Sequence, residues 1–170
     1  MSPMSEPIVL VVMGVCGTGK STVAGLLADH LGWALQEGDD LHPEANVLKM
    51  SQGVALTDAD RWPWLDAVAD WIDARRAAGE PGIVTCSALK RSYRDVLRRP
   101  GVVFVHLAGT YQLIAARMAQ RTDHFMPSTL LDSQLASLER PDPDEQVITV
   151  DVAGSPTAQV AKVLHELDHP

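Results

Sequence analysis

Cysteine is nearly absent from this chain: Cys16 and Cys86 are the only two in 170 residues. Two thiols make no disulfide framework and fit no metal-ligand spacing, so a reduced, cytoplasmic setting is expected. Positive charge is also short. Lys and Arg number 14 against 22 Asp and Glu, for a net charge of −8. That excludes nucleic acid as a main partner, because a phosphate backbone is met by a basic face; a small anion needs only a local basic patch. Long apolar runs are missing too. The run Ile8 to Met13 falls far below the roughly 20 residues that span a bilayer. Nothing basic precedes it, since the first Lys or Arg is Lys20, so no signal peptide and no membrane partner are expected. There is no internal repeat and no low-complexity tract.

What is present reads as one domain over residues 1–170, with 46% hydrophobic residues to fill a core. The run "IVLVVMG" suits a strand buried on both faces. "WALQE" (33–37), "GIVTCSA" (82–88), "VVFVHLAG" (102–109) and "VITVDVAG" (147–154) are further strand candidates. Helical patterns run from Lys20 to about Leu31 and over about 60–78, 89–98, 110–121, 128–138 and 157–168. Pro63 is expected in the first turn of the 60–78 helix, and Trp62, Trp64 and Trp71 need no role beyond packing. Strands alternating with helices predict an α/β fold with a parallel sheet and helices on both faces. Ligands of such sheets bind at the carboxyl ends of the strands. The polar stretch 121–129 is expected to be a loop.

"GVCGTGKS" (14–21) matches G-x-x-x-x-G-K-[ST] and lies between a predicted strand and a predicted helix. Glycines let the backbone come close to a ligand. The loop amides then surround phosphates, and the next helix aims its positive end at the same charge. Gly14, Val15, Cys16, Gly17, Thr18, Gly19, Lys20, Ser21 and Thr22 are the expected nucleotide-binding residues. Lys20 reaches the β and γ phosphates and so counts as catalytic, and the Ser21 hydroxyl can ligate Mg²⁺.

Glu37 and Asp39 end the second strand candidate, on the same side by alternation, near the phosphates. Phosphoryl transfer needs one group to orient or deprotonate the attacking hydroxyl and another to hold Mg²⁺. Two acids can divide those jobs. They also fit a solvated turn that caps a helix. No N-K-x-D guanine-reading segment occurs.

Four further stretches, in order, are "GDDLHPEANVLKM" (38–50), "DADRWPWL" (58–65), "CSALKRSYRDVLR" (86–98) and "HFM" (124–126). Together with the phosphate loop they closely resemble the gluconate kinase family over about residues 8–152. The resemblance implies a P-loop kinase fold like that of nucleoside monophosphate kinases: a five-stranded parallel sheet of order 2-3-1-4-5 with a short lid, here about 117–135. It implies transfer of phosphate from ATP, with Mg²⁺, to the 6-hydroxyl of D-gluconate, and a homodimer. The product would be 6-phospho-D-gluconate. Many members have Asp-Gly-Asp where this chain has Glu37-Gly38-Asp39, so the longer Glu37 would hold the metal, or its water, in a different geometry.

Asp39 is then the expected group that orients and deprotonates the acceptor hydroxyl. His42 is expected to face the substrate, though capping or packing suits it as well, with His42-Pro43 shaping the start of a following helix. Lys49 and Arg61 are expected cations for the sugar acid, the alternative being a solvated surface pair. Ser87 and Lys90 follow the third strand and reach the same edge, and Arg94 lies one helical turn beyond Lys90; all three are expected at the substrate. Arg91 and Arg98 are expected to be solvated. Arg117 and Arg121, also one turn apart, are expected to close on the transferring phosphate, with Arg121 counted as catalytic. Favourable charges at a helix end are the alternative. His124 joins the substrate side of the lid. Two rival readings remain: a kinase for another small metabolite, and a nucleotide-dependent binding module without turnover.

Overall fold

The computed structural model describes residues 7–119 and 128–168. The Val-rich run near the start becomes β1 (Val9–Met13), and every one of its residues is buried. It pairs in parallel with β3 (Gly82–Thr85) on one side and β4 (Val102–Ala108) on the other. β2 (Ala34–Glu37) flanks β3, and β5 (Val147–Asp151) flanks β4, both parallel. The order is therefore β2-β3-β1-β4-β5, the one implied by the resemblance. Because the chain leaves β1 for an outer strand and returns on either side of it, a crevice opens at the carboxyl end of β1.

Seven helices accompany this sheet among the described residues: α1 (Lys20–Leu31), α2 (Glu44–Ser51), α3 (Asp58–Ala77), α4 (Arg91–Leu97), α5 (Tyr111–Ala119), α6 (Ser128–Ser137) and α7 (Pro156–Asp168). α1 packs with α7, and α3 with α4. β1, Phe104 and Val105 lie in one core with Leu65, Val68 and Ile72 of α3 and Val23 and Leu27 of α1.

α1 stops where Gly32 turns left-handed, φ 70°, and its N–H bonds back to Ala28 O. α3 starts two residues before the expected position because Thr57 builds a reciprocal cap with Asp60. Pro63 therefore lies in the second turn and not the first, where it withholds one helical N–H. β3 ends at Thr85, short of the expected 88, as the chain turns through Ala88 at φ 46°. β2 gives way at once to a 3₁₀ turn, Gly38–Leu41, and α2 follows at the start expected near Pro43. Of the expected lid, residues 117–119 end α5 and 128–135 lie in α6. Arg121 and His124 lie outside the described residues.

Candidate active site

At the end of β1 the chain turns through Gly14, φ 146°, where a Cβ would stand 2.8 Å from Leu107 O. Only glycine lets the loop pass so close to β4. The buried Thr18 hydroxyl donates to Val15 O at 2.8 Å and braces the loop from within. Lys20 folds back over it, its Nζ donating to Gly14 O and Val15 O at 3.0 Å each. Burial pushes the Lys20 amine below its ordinary value, and nearby Asp39 opposes that shift.

Ser21, the second residue of α1, donates its hydroxyl to Glu37 Oε2 at 3.0 Å. Thr85 Oγ1 donates to the same carboxylate oxygen at 2.7 Å and accepts Gly38 N–H at 3.0 Å. Gly38 can be nothing larger: a Cβ there would meet Thr85 O at 1.8 Å. The loop-end hydroxyl and the acid at the end of β2 thus form one oxygen cluster. Among the described residues no three His, Cys, Asp or Glu side chains group to hold a metal. Two protein oxygens suit Mg²⁺, which takes its remaining ligands from phosphate and water.

Strand alternation does not continue to Asp39; the 3₁₀ turn redirects it. Its carboxylate is 85% exposed and lies 4.0 Å from His42 Nε2. The His42 ring stacks on Trp64, with centroids 4.0 Å apart. Trp64 Nε1 donates to Gly38 O at 2.8 Å, so one indole fixes both the turn and the imidazole. Trp64 was expected only to pack; this role was invisible without the fold. Burial holds His42 down at about 4, against the pull of Asp39 and aided by Arg61. Its Nδ1 lies 3.2 Å from Asn46 Nδ2, an amide that also donates to Asp60 O at 2.8 Å. Nδ1 is therefore the acceptor, and the proton of the neutral ring sits on Nε2, facing Asp39.

Lys20, Asp39, His42, Arg61 and Ser87 converge on one cleft, walled by Trp64, Met50, Val54 and Leu89 and closed by Cys16, Ser133 and Gln134. The cleft is open to solvent, so a small molecule can enter it from outside. Of the four cations expected at the acid, Arg61 alone lines it. Arg61 Nη1 bonds Tyr93 Oη at 3.0 Å, and Tyr93 in turn bonds Asp58. The other three, expected at the substrate, are not among the residues that line the cleft. Lys49 is drawn to Asp60 at 2.7 Å, and Lys90 to Asp58 at 3.1 Å. The Lys49 hydrogen bond, helped by Thr57, holds Asp60 down at about 2. Arg94 is fully buried and spent on structure: its guanidinium pairs with Glu145 at 2.7 and 3.1 Å and donates to Ala88 O and Leu89 O. Arg91 and Arg98, expected to be solvated, tie the same segment, to Asp142 and Asp144 and to Glu145. Arg117 is half-buried on α5 and does not line the cleft.

Two neutral histidines make folding acid-sensitive. Burial, with Arg140 and Arg94 adding to it, holds His106 down at about 4, as His42 is held. The unfolded side chains titrate near 6.5, so between about pH 6.5 and 4 the unfolded chain binds more protons. Stability there falls as the pH falls, by up to about 2 kcal/mol per histidine at pH 5. Chemical denaturation from pH 7 to 4.5 is expected to show this slope, and His106→Gln to flatten it.

No protein-family model matches the chain. A gluconokinase from Gluconobacter oxydans (strain 621H) is 56% identical over 147 residues, 85% of this chain and 83% of that protein. The crystal structure of a gluconokinase from Sinorhizobium meliloti 1021 superimposes with a TM-score of 0.86 at 49% identity, over 96% of this chain and 93% of that one. An unliganded sugar kinase from Janibacter sp. HTCC2649 gives a TM-score of 0.91 at 49% identity, over 95% of both chains.

Proposed function

The chain belongs to the gluconokinase family, and we propose that it transfers the γ-phosphate of ATP to the 6-hydroxyl of D-gluconate, giving 6-phospho-D-gluconate and ADP. The observation that carries this is the convergence on one cleft of the phosphate-loop Lys20 with Asp39, His42 and Arg61. A phosphate donor, a proton acceptor and a cation for a carboxylate are thereby within reach of one small molecule.

In this reading the amides of residues 14–22 surround the phosphates, and Lys20 exchanges its loop carbonyls for the β and γ phosphates. Ser21 Oγ and Glu37 Oε2 would hold Mg²⁺, which when bound neutralises charge on the phosphates. Asp39 takes the proton of the acceptor hydroxyl, and His42 Nε2–H stands beside its carboxylate at 4.0 Å. His42 cannot be the base, because its free nitrogen, Nδ1, is turned toward Asn46. Arg61 grips the carboxylate with paired N–H donors, and Ser87 lines the same wall. Arg117 and Arg121 neutralise the transferring phosphate, and His124 belongs to the same closing segment. Most of the rate comes from positioning and fixed charge. A homodimer and a cytoplasmic location belong to the proposal, resting on the family resemblance and on the cysteine usage.

ADP release by purified protein with Mg²⁺ and ATP, against gluconate, shikimate, AMP and related sugar acids, tests the reading. Gluconate-dependent release supports it. Release with a different acceptor keeps the kinase and removes the substrate. No acceptor-dependent release from protein that binds ATP removes the kinase.

A further inference from the structure

Gln134, on α6, entered the cleft without any signal in the sequence. Its Oε1 accepts the Cys16 N–H at 2.6 Å, across 118 residues of chain. That amide belongs to the phosphate loop, whose N–H groups suit phosphate oxygens. A carboxamide oxygen there stands in for one. Cys16 also faces the acceptor side: it lines the cleft together with Lys20, Asp39 and Ser87. In-line transfer puts the γ-phosphate between Lys20 Nζ and the hydroxyl served by Asp39. Gln134 lines the same cleft as Lys20 and Asp39.

Resting on the kinase reading, the geometry points to Gln134 as a γ-phosphate-binding residue. Its oxygen and the γ-phosphate compete for the Cys16 N–H. Once the phosphate takes that amide, the carboxamide keeps two N–H donors, and these hold a γ-phosphate oxygen. ADP lacks the γ-phosphate and leaves Gln134 on Cys16. The side chain therefore reads the third phosphate, and α6 follows the nucleotide state through it. The rival is a plain brace, in which Gln134 only ties α6 to the loop.

Gln134→Glu separates the two. It keeps length and acceptor oxygen, so the brace survives, but it removes both donors and adds a negative charge. Dissociation constants for ADP and for a non-hydrolysable ATP analogue, each with Mg²⁺, are measured on wild type and variant. The expected result is ADP affinity close to wild type and analogue affinity reduced at least about tenfold, equivalent to about 1.4 kcal/mol. kcat is expected to fall in parallel while KM for gluconate changes little. Gln134→Leu removes the donors without adding charge, so it excludes plain repulsion: it is expected to weaken the analogue selectively by a smaller factor, and an unchanged ratio there also overturns the proposal. An analogue-to-ADP ratio unchanged in the Glu variant overturns the proposal in favour of the brace. Wild-type protein that binds both nucleotides but does not turn over gluconate would refute the acceptor instead, and the ratio would still be readable.

Discussion

Asp39→Asn is expected to lower kcat with gluconate by about 10²–10⁴-fold, the usual worth of one positioned base, and to leave ATP and ADP affinity nearly unchanged. Asparagine keeps the shape and one acceptor oxygen but cannot take the proton. The carboxylate stands in the cleft, with His42 as its near neighbour at 4.0 Å. That neighbour cannot take over, because its proton already sits on the nitrogen facing Asp39. Trp64 and Thr85 fix the turn from other elements, so the substitution removes chemistry and not architecture. Steady-state kinetics with separate nucleotide titrations check this. The loss should appear in kcat and kcat/KM together, as for an interaction made in the transition state. A wild-type kcat would remove Asp39 from the mechanism.

The phosphate loop was legible because its chemistry is contiguous: strand, glycines, Lys20 and Ser21 follow one another, and each constrains the next. Glu37 and Asp39 were legible as acids at a strand end, and the family resemblance supplied a separate role for each. Spacing alone could not show the 3₁₀ turn that sends Glu37 to Ser21 and Thr85 and Asp39 to the cleft. The order of strands came from the family resemblance, since alternating β and α segments fit several orders. Partners distant along the chain stayed hidden. Thr85, Gln134 and Glu145 carry no motif, and only the sheet order brings them to residues 37, 16 and 94. The i, i+4 spacing of Lys90 and Arg94 was read as one face toward substrate. Helical spacing fixes which residues share a face; it leaves open what that face meets. Here α4 turns Arg94 into the interior, and Lys90, at the cap, meets Asp58.

Arg94→Met should therefore cost stability and not substrate binding. The guanidinium is fully buried with a carboxylate that is itself 1% exposed. Truncating one partner strands the Glu145 charge in the interior, a loss of about 3–5 kcal/mol. Arg98 also reaches Glu145, at 2.6 Å, and softens that loss by leaving the carboxylate one cation. A second cost comes from the turn after β3. Ala88 holds φ at 46°, a conformation an alanine resists, and Arg94 Nη1 ties down the carbonyls of Ala88 and Leu89. At about 2–4 °C per kcal/mol for a domain of this size, the melting temperature should fall by roughly 10 °C. KM for gluconate should stay near wild type below the transition, because Arg61, and not Arg94, is the arginine that lines the cleft among the described residues. The opposite pattern, an unchanged melting curve with a raised KM, would return Arg94 to the substrate side. Glu145→Gln gives the independent check. It keeps the shape but removes the charge that both arginines share, so it should destabilise in the same sense and leave the kinetics alone.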